Sequence, residues 1–342
     1  MAQHRHPGRS AGRLPHPHRH PRPAQIRAAA DRRAEEGKRE AVTRMKPTCY
    51  VCCPSYAPAG PLESATFLEK ARALCDKLEA TLIASPLLDR HLPGGVWLPQ
   101  EEREEDLRRA LHHDLVVAFR GGYGAIQLVP LLLNAKAARR PRLIGFSDTT
   151  VLQAIWRKRG WGTGCYGTIP ENWSGRQGTS LLSLLRGERL VLDARSERAT
   201  RVVRAGSAAG PCFAACVSVL AGLAGTGALP DLRGCILALE DIDEKPYQVD
   251  FALHQLHLSG ALRGIAGLLG GSFPHENRPD YRGPSHGEVL GAWAARLKVP
   301  CLQHLSFGHM DDPFVMPCGP RVTLDAGRAG DWSLVVHPAR TG

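Results

Sequence analysis

Leu115-Val-Val-Ala-Phe119 runs without a break into Arg120-Gly-Gly-Tyr-Gly124, and Arg142-Leu-Ile-Gly-Phe146 runs in the same way into Ser147-Asp-Thr149. Each is an apolar run of strand length closed by turn-forming residues. Each is followed by a helical apolar period, Ile126–Leu133 after the first and Thr150–Trp156 after the second. Strand, tight turn and helix repeated in succession is the pattern of a parallel sheet covered by helices. In such a sheet the turns gather at the carboxyl edge of the strands, where ligands and reacting groups collect. The glycine-rich turn and the Ser147 turn are therefore expected to open side by side.

The pattern extends in both directions. Upstream, Tyr50–Cys53 reads as a first strand ending in Pro54-Ser55, Ser64–Ala80 as a helix with Phe67, Ala71, Leu74 and Leu78 on one face, and Thr81–Ser85 as a second strand. Pro93-Gly94-Gly95 breaks the chain, and Gln100–His112 reads as a charged surface helix. Downstream, residues 168–204 mix Pro, Gly, Asn, Ser and Arg and are taken as a crossover linker. A second domain, 205–342, follows, with helices over Ala214–Leu223, Val249–Leu258 and Glu288–Leu297 and strands over Cys235–Leu239 and Gly264–Leu269. The expected organisation is a nucleophile domain over 46–167, the linker, and a C-terminal domain that supplies the remaining chemistry.

Composition bounds what the chain can be. With 342 residues, 43% of them hydrophobic and 23% charged, it can bury a large core. No stretch approaches the roughly 20 consecutive apolar residues of a membrane span, and the N-terminus lacks the apolar centre of a secretory signal, so a cytoplasmic protein without membrane contact is expected. Ten cysteines scattered through apolar segments fit reduced thiols. Cys49 and Cys52 form a C-x2-C inside a strand-like run, with no second pair to complete a zinc site, so no metal is expected. The net charge of +11 is uneven: residues 1–44 hold 11 of the 44 Lys/Arg and 4 of the 33 Asp/Glu, a net of +7, leaving +4 for the 298 that follow. A nucleic-acid partner is not indicated for the globular part. Residues 1–45, rich in His, Arg and Pro, are expected to be a disordered basic tail, with Met45 as an alternative start.

Three residues could carry chemistry. Ser147 sits where a strand becomes a helix, a place where a strained turn can expose a hydroxyl beside free N–H groups. A plain helix N-cap is the simpler reading of that motif alone, and the usual G-x-S-x-G elbow lacks its last glycine here. Glu240 follows Ile236-Leu-Ala-Leu239 at the carboxyl end of a strand, with Asp241 beside it, while Asp243 and Glu244 read as loop charges. His309, in Ser306-Phe-Gly-His309-Met, is a candidate base against competitors His254, His257, His275, His286 and His304. Together the three complete one another, because a neutral serine needs a base and the base needs an orienting carboxylate. Backbone N–H groups of Gly121, Gly122 and Asp148 could hold an oxyanion.

Arg120-Gly-Gly-Tyr-Gly124, Ile144-Gly-Phe-Ser-Asp-Thr-Thr150, Leu239-Glu-Asp-Ile-Asp-Glu-Lys-Pro-Tyr247 and Phe307-Gly-His309, in this order and spacing, resemble the muropeptide LD-carboxypeptidases and the related microcin C immunity peptidases. The resemblance runs from about Cys49 to Val336. It implies an α/β fold with an N-terminal flavodoxin-like parallel-sheet domain and a C-terminal β/α domain. It also implies Ser147 as nucleophile, His309 as base, Glu240 as its orienting group, a homodimer and no cofactor. The implied reaction releases terminal D-alanine from a cytoplasmic murein tetrapeptide, so the partner is a peptide ending in a D-amino acid. Two alternatives stay open: a self-immunity hydrolase of peptidyl- or aminoacyl-nucleotides, with Trp173 as a residue to stack a base, and a binding homologue whose chemistry has decayed. Two segments depart from the family: Ala214-Ala215-Cys216 stands where Gly-Gly-Asn is usual at the head of a helix, and Leu88–Arg103, with Pro93-Gly-Gly-Val-Trp97, looks atypical. Arg120 is a candidate, by position, for a substrate carboxylate.

Overall fold

Thr48–Cys52 (β1) is buried over four of its five residues, which is why it reads as a continuous apolar run and not as an alternation. The computed structural model describes residues 46–274, 281–327 and 330–338; the expected tail over 1–45 and the competitor His275 lie outside them. Around β1 stand Thr81–Ala84 (β2), Leu115–Ala118 (β3), Arg142–Gly145 (β4) and Gly164–Tyr166 (β5), all parallel, in the order β2-β1-β3-β4-β5. That is the flavodoxin-like order.

The covering helices are Pro61–Leu78 (α1), Gln100–Ala110 (α2), Val129–Asn134 (α3) and Thr150–Arg159 (α4). Proline opens α1 at its first turn, where its missing N–H costs nothing. Gly160 closes α4 in the left-handed conformation after Arg157, Lys158 and Arg159, whose charges suit the carboxyl end of a helix. The sequence of α2 reads as a solvated surface helix, yet it buries Arg103 and Asp106 as well as Leu107 and Ala110.

The second sheet is mixed. The stretch 168–204 contributes a helix, Arg176–Arg186 (α5), and two strands, Leu190–Asp193 (β6) and Arg201–Arg204 (β7), that pair in this sheet. Its centre is parallel: Gly206–Cys216 (β8), Ile236–Glu240 (β9), Gly267–Gly270 (β10) and Cys301–Gln303 (β11). Val217–Gly222 (α6), Pro246–Leu258 (α7) and His286–Leu297 (α8) connect these strands. The helix expected over Ala214–Leu223 begins only at Val217. Ala214, Ala215 and Cys216 end β8, opposite Ala238, Leu239 and Glu240 of β9, because pairing against a buried neighbour outweighs local propensity.

The chain then returns to the first sheet. Met316–Cys318 (β12) pairs antiparallel with β5 as its edge strand, before Arg321–Ala326 (β13) and Trp332–Val336 (β14) complete the second sheet. The segment between β11 and β12, which contains His309, is therefore anchored in one sheet at each end. Leu152, Ile155 and Trp156 of α4 share a core cluster with Phe213, Val217 and Leu220, so the two sheets pack through α4. The described residues from Lys46 onward form one compact unit. Among them no helix is long and apolar enough to cross a membrane.

Candidate active site

Ser147 is held in the left-handed region at φ 60, directly after the extended Phe146. An L-residue pays about 1–2 kcal/mol there, a strain typical of residues held for function. The helix-cap reading does not fit: the turn over Ser147–Thr149 is a tight 3-10 turn, and Ser147 Oγ makes no hydrogen bond among the described residues. The missing glycine of the elbow is explained by Thr149, whose hydroxyl donates to Phe146 O at 2.9 Å and closes the turn itself. Gly145 makes room for it, since a Cβ at that position would lie 2.5 Å from Thr149 Oγ1.

The Arg120–Gly124 turn packs onto this elbow. A Cβ on Gly121 would lie 2.9 Å from Ser147 Cβ, and one on Gly122, at φ 111, would lie 2.2 Å from the Tyr56 ring. The N–H groups of Gly121 and Gly122 donate to no acceptor among the described residues, and Asp148 N–H belongs to the first turn, where such groups are intrinsically free. The Asp148 side chain is buried and fastens the neighbouring loops, accepting from Ser55 Oγ at 2.6 Å and from Ala125 N–H at 2.9 Å. Burial raises its pKa above the usual carboxylate value, against the pull of Ser55, Ala125 and Arg103.

Glu240, at the end of β9, is fully buried. Its Oε2 accepts from His309 Nδ1 at 2.7 Å and from His309 N–H at 3.1 Å, and its Oε1 accepts from the Tyr166 hydroxyl at 2.6 Å. A carboxylate that receives at both oxygens fixes Nδ1 as the protonated ring nitrogen and leaves the lone pair on Nε2. Burial, then the adjacent Glu240 charge, pushes the Tyr166 hydroxyl well above its ordinary pKa, so it stays a donor. Gly308 permits the arrangement: φ is 101, and a Cβ would meet Glu240 Oε2 at 2.6 Å. The imidazole of His309 rests against Phe146, centroids 4.4 Å apart, which brings it beside the residue that precedes Ser147. No hydrogen bond joins Ser147 to His309 among the described residues.

His309, Phe146, Tyr166, Thr168, Asn172 and Asp311 line part of an open cleft of about 810 Å³. On its rim Lys70 pairs with Glu171 at 2.8 Å. The competing histidines lie elsewhere: His254 and His257 pack on Trp293, His286 stacks on Phe273, and His304 is exposed after β11. Arg120, read as a carboxylate binder, pairs with Glu63 at 2.8 Å, and Trp173 packs beneath Lys77. Ala214, Ala215 and Cys216 are buried, with Cys216 N–H donating to Thr150 Oγ1 and its thiol to Asp241, so they back the site from within. Among the described residues no group of three His, Cys, Asp or Glu is placed to hold a metal. Sequence reasoning missed Tyr166 and Phe146. A tyrosine in an otherwise apolar strand, whose hydroxyl must find a partner, was the available signal for the first.

Residues 51–167 match the family model described as the LD-carboxypeptidase N-terminal domain, and residues 209–324 match the LD-carboxypeptidase C-terminal domain. The chain is 33% identical over 256 residues to the murein tetrapeptide carboxypeptidase of Pseudomonas aeruginosa, covering 70% of this chain and 81% of that protein. The muramoyltetrapeptide carboxypeptidase of Oxalobacter formigenes superposes with a TM-score of 0.69 at 24% identity, covering 84% of this chain and 99% of that one. A microcin C7 self immunity protein superposes with a TM-score of 0.67 at 17% identity, covering 87% and 99%. These two structural likenesses speak for the fold.

Proposed function

The chain belongs to the LD-carboxypeptidase family and is a peptidase, and from that premise we propose that it releases the terminal D-alanine of murein tetrapeptide, in cytoplasmic peptidoglycan recycling, with Ser147 as nucleophile, His309 as base and Glu240 as its orienting carboxylate. The observation that carries this reading is the buried Glu240 carboxylate gripping His309 Nδ1, with the imidazole against Phe146, the residue before a serine held at φ 60. Ser147 Oγ attacks the scissile carbonyl as its proton passes to His309 Nε2. The oxyanion of the tetrahedral adduct points at the free N–H groups of Gly121, Gly122 and Asp148, each such donor being worth roughly 3 kcal/mol in the transition state. Collapse of the adduct expels the amine of D-alanine, which takes the proton from His309. Water then attacks the ester, with His309 again as base, and regenerates Ser147.

The test offers the purified protein a murein tetrapeptide and an aminoacyl sulfamoyl adenosine in parallel. Release of one D-alanine per tetrapeptide consumed is expected. Cleavage of the nucleotide alone would replace this reading with self-immunity, and turnover of neither would leave a binding homologue.

A homodimer is part of the same reading. Tyr247, Phe251 and Leu258 stand exposed along α7, Phe251 at 72% and Leu258 at 82%, which is an apolar stripe suited to a second copy. Sedimentation equilibrium should give twice the chain mass for the wild type and the single mass for Phe251→Asp. A wild type that sediments as one chain would remove the dimer.

A further inference from the structure

A second cavity, of about 350 Å³, opens at the opposite end of the first sheet from Ser147, at the amino edge of β4 and β5 and against the carboxyl end of α4. Arg140, Arg142, Arg157, Gln153, Trp161 and Thr163 line part of it, and no carboxylate does. Each arginine is fixed by backbone oxygens: Arg140 donates to Trp161 O at 3.1 Å and Gly160 O at 3.3 Å, Arg157 to Asp231 O at 3.0 Å, and Arg142 to Leu185 O. Carbonyls place a guanidinium without neutralising it, and most of its N–H groups stay available. The nearest candidate counter-charges are taken, Asp114 by Arg139 and Asp231 by Arg233, each at 2.6 Å. Three positive charges thus surround one cavity with no salt bridge among the described residues. Such a group repels itself and draws in an anion.

Gln153 supplies an independent signal. It is 1% exposed, and its Nε2 donates to Cys165 O at 3.0 Å and to Gly145 O at 3.4 Å. Those two acceptors fix which way the amide faces, and Oε1, on the other side, has no hydrogen-bond partner. A buried acceptor without a donor is rare enough in a folded protein to need a reason. The backbone makes room for it: a Cβ on Gly164 would lie 1.8 Å from Gln153 Oε1, and one on Gly162 would lie 2.2 Å from Pro141 O. Trp156 stiffens the wall, donating from its indole to Pro141 O at 2.8 Å and meeting Trp161 edge to face at 4.8 Å.

We propose that this cavity is a second ligand site, for a phosphate that carries a hydroxyl: hydrogenphosphate itself, or the phosphomonoester of a small hydroxylated molecule. The guanidinium N–H groups take the phosphate oxygens in forked pairs, and the hydroxyl gives its hydrogen to Gln153 Oε1. A ligand bearing an ammonium group would satisfy Oε1 but meet three like charges. The ligand is neither substrate nor product of the peptidase reaction, so the site stands or falls apart from that reading.

Isothermal titration of the full chain, in a zwitterionic buffer at constant chloride, uses sodium phosphate, glucose 6-phosphate and sodium sulfate. Sulfate matches hydrogenphosphate in size and charge but has no hydrogen to give. Saturable binding of phosphate or glucose 6-phosphate is expected, with sulfate about tenfold weaker or more, and the tighter of the first two identifies the source of the phosphate group. Arg142→Met and Arg157→Met should each weaken binding about tenfold. Arg140→Met, at an exposed position, provides the same test should either of the others melt early. Peptide turnover in the absence of phosphate should be unchanged in Arg140→Met, because the site lies at the far edge of the sheet. No saturable binding of either phosphate, sulfate bound as tightly as phosphate, or affinity unaltered in all three variants would overturn the site.

Discussion

Ser147→Ala should lower kcat by about 10⁴- to 10⁶-fold, because removing the nucleophile leaves only binding and oxyanion stabilisation to act on the substrate. The loss should come without unfolding. The Ser147 side chain makes no hydrogen bond among the described residues, its carbonyl still accepts from Thr150 N–H in the variant, and alanine at φ 60 inherits the same strain. Ser147→Gly sharpens the point. Glycine relieves roughly 1–2 kcal/mol of left-handed strain and costs about 0.5–1 kcal/mol in unfolded-chain entropy, so this inactive variant should melt no earlier than wild type. A side chain that harms stability where it stands, and whose removal ends turnover, is held there for chemistry. Thermal melts beside single-turnover rates would check both halves, and a Ser147→Gly protein that melts several degrees early would contradict the strain argument.

Glu240→Gln should lower kcat by about 10³- to 10⁴-fold, a larger effect than a change of one atom suggests. Glu240 receives three hydrogen bonds, from His309 N–H, His309 Nδ1 and the Tyr166 hydroxyl. An amide has one acceptor oxygen and must turn its NH2 toward one side. Turned toward His309, it presents a donor to Nδ1, and the hydrogen moves to Nε2, where a lone pair is required. Turned toward Tyr166, it sets two donor groups face to face inside a buried site unless the hydroxyl reverses. KM should change little, because Glu240 is shielded from the cleft by the imidazole, so kcat and kcat/KM should fall together. His309→Gln combined with Glu240→Gln should cost no more than His309→Gln alone, since the carboxylate acts only through the ring. A double variant much slower than the single would assign Glu240 a separate task.

The parts of the site that are legible in the sequence are those where local pattern and chemistry coincide. Arg120–Gly124 and Ser147–Thr149 each follow a strand-like run, Glu240 ends one, and Gly308 precedes His309, so their places at strand ends can be read directly. The parallel, helix-covered first sheet followed from strand–helix alternation, and its flavodoxin-like order from the family resemblance. What could not be read depends on partners distant in the chain. Ala214-Ala215-Cys216 is equally compatible with a helix start and a strand end, and only β9 alongside decides. Gly210-Pro211 looks like a break in β8 but lies within it, and Gly210 is there because a Cβ would come 1.9 Å from Gly234 O. Arg103 and Asp106 sit in a run of charges and gave no sign of turning inward. They do so because free carbonyls of the 54, 98 and 124 segments, and the Tyr50 hydroxyl with Cys53 N–H, need partners that only tertiary structure brings near. Tyr166 escaped notice for the same reason, since its partner is 74 residues away.

Leu88–Arg103, expected from the sequence to be atypical of the family, supplies the buried guanidinium that ties the 54, 98 and 124 segments together.

The most direct measurement of the central claim is labelling of the folded protein with a serine-directed fluorophosphonate, followed by peptide mapping. Wild type should take up one equivalent on the peptide that contains Ser147, Ser147→Ala should take up none, and Glu240→Gln should react far more slowly than wild type. Equal labelling of Ser147→Ala, or modification of another residue while Ser147 stays free, would contradict the assignment of the nucleophile.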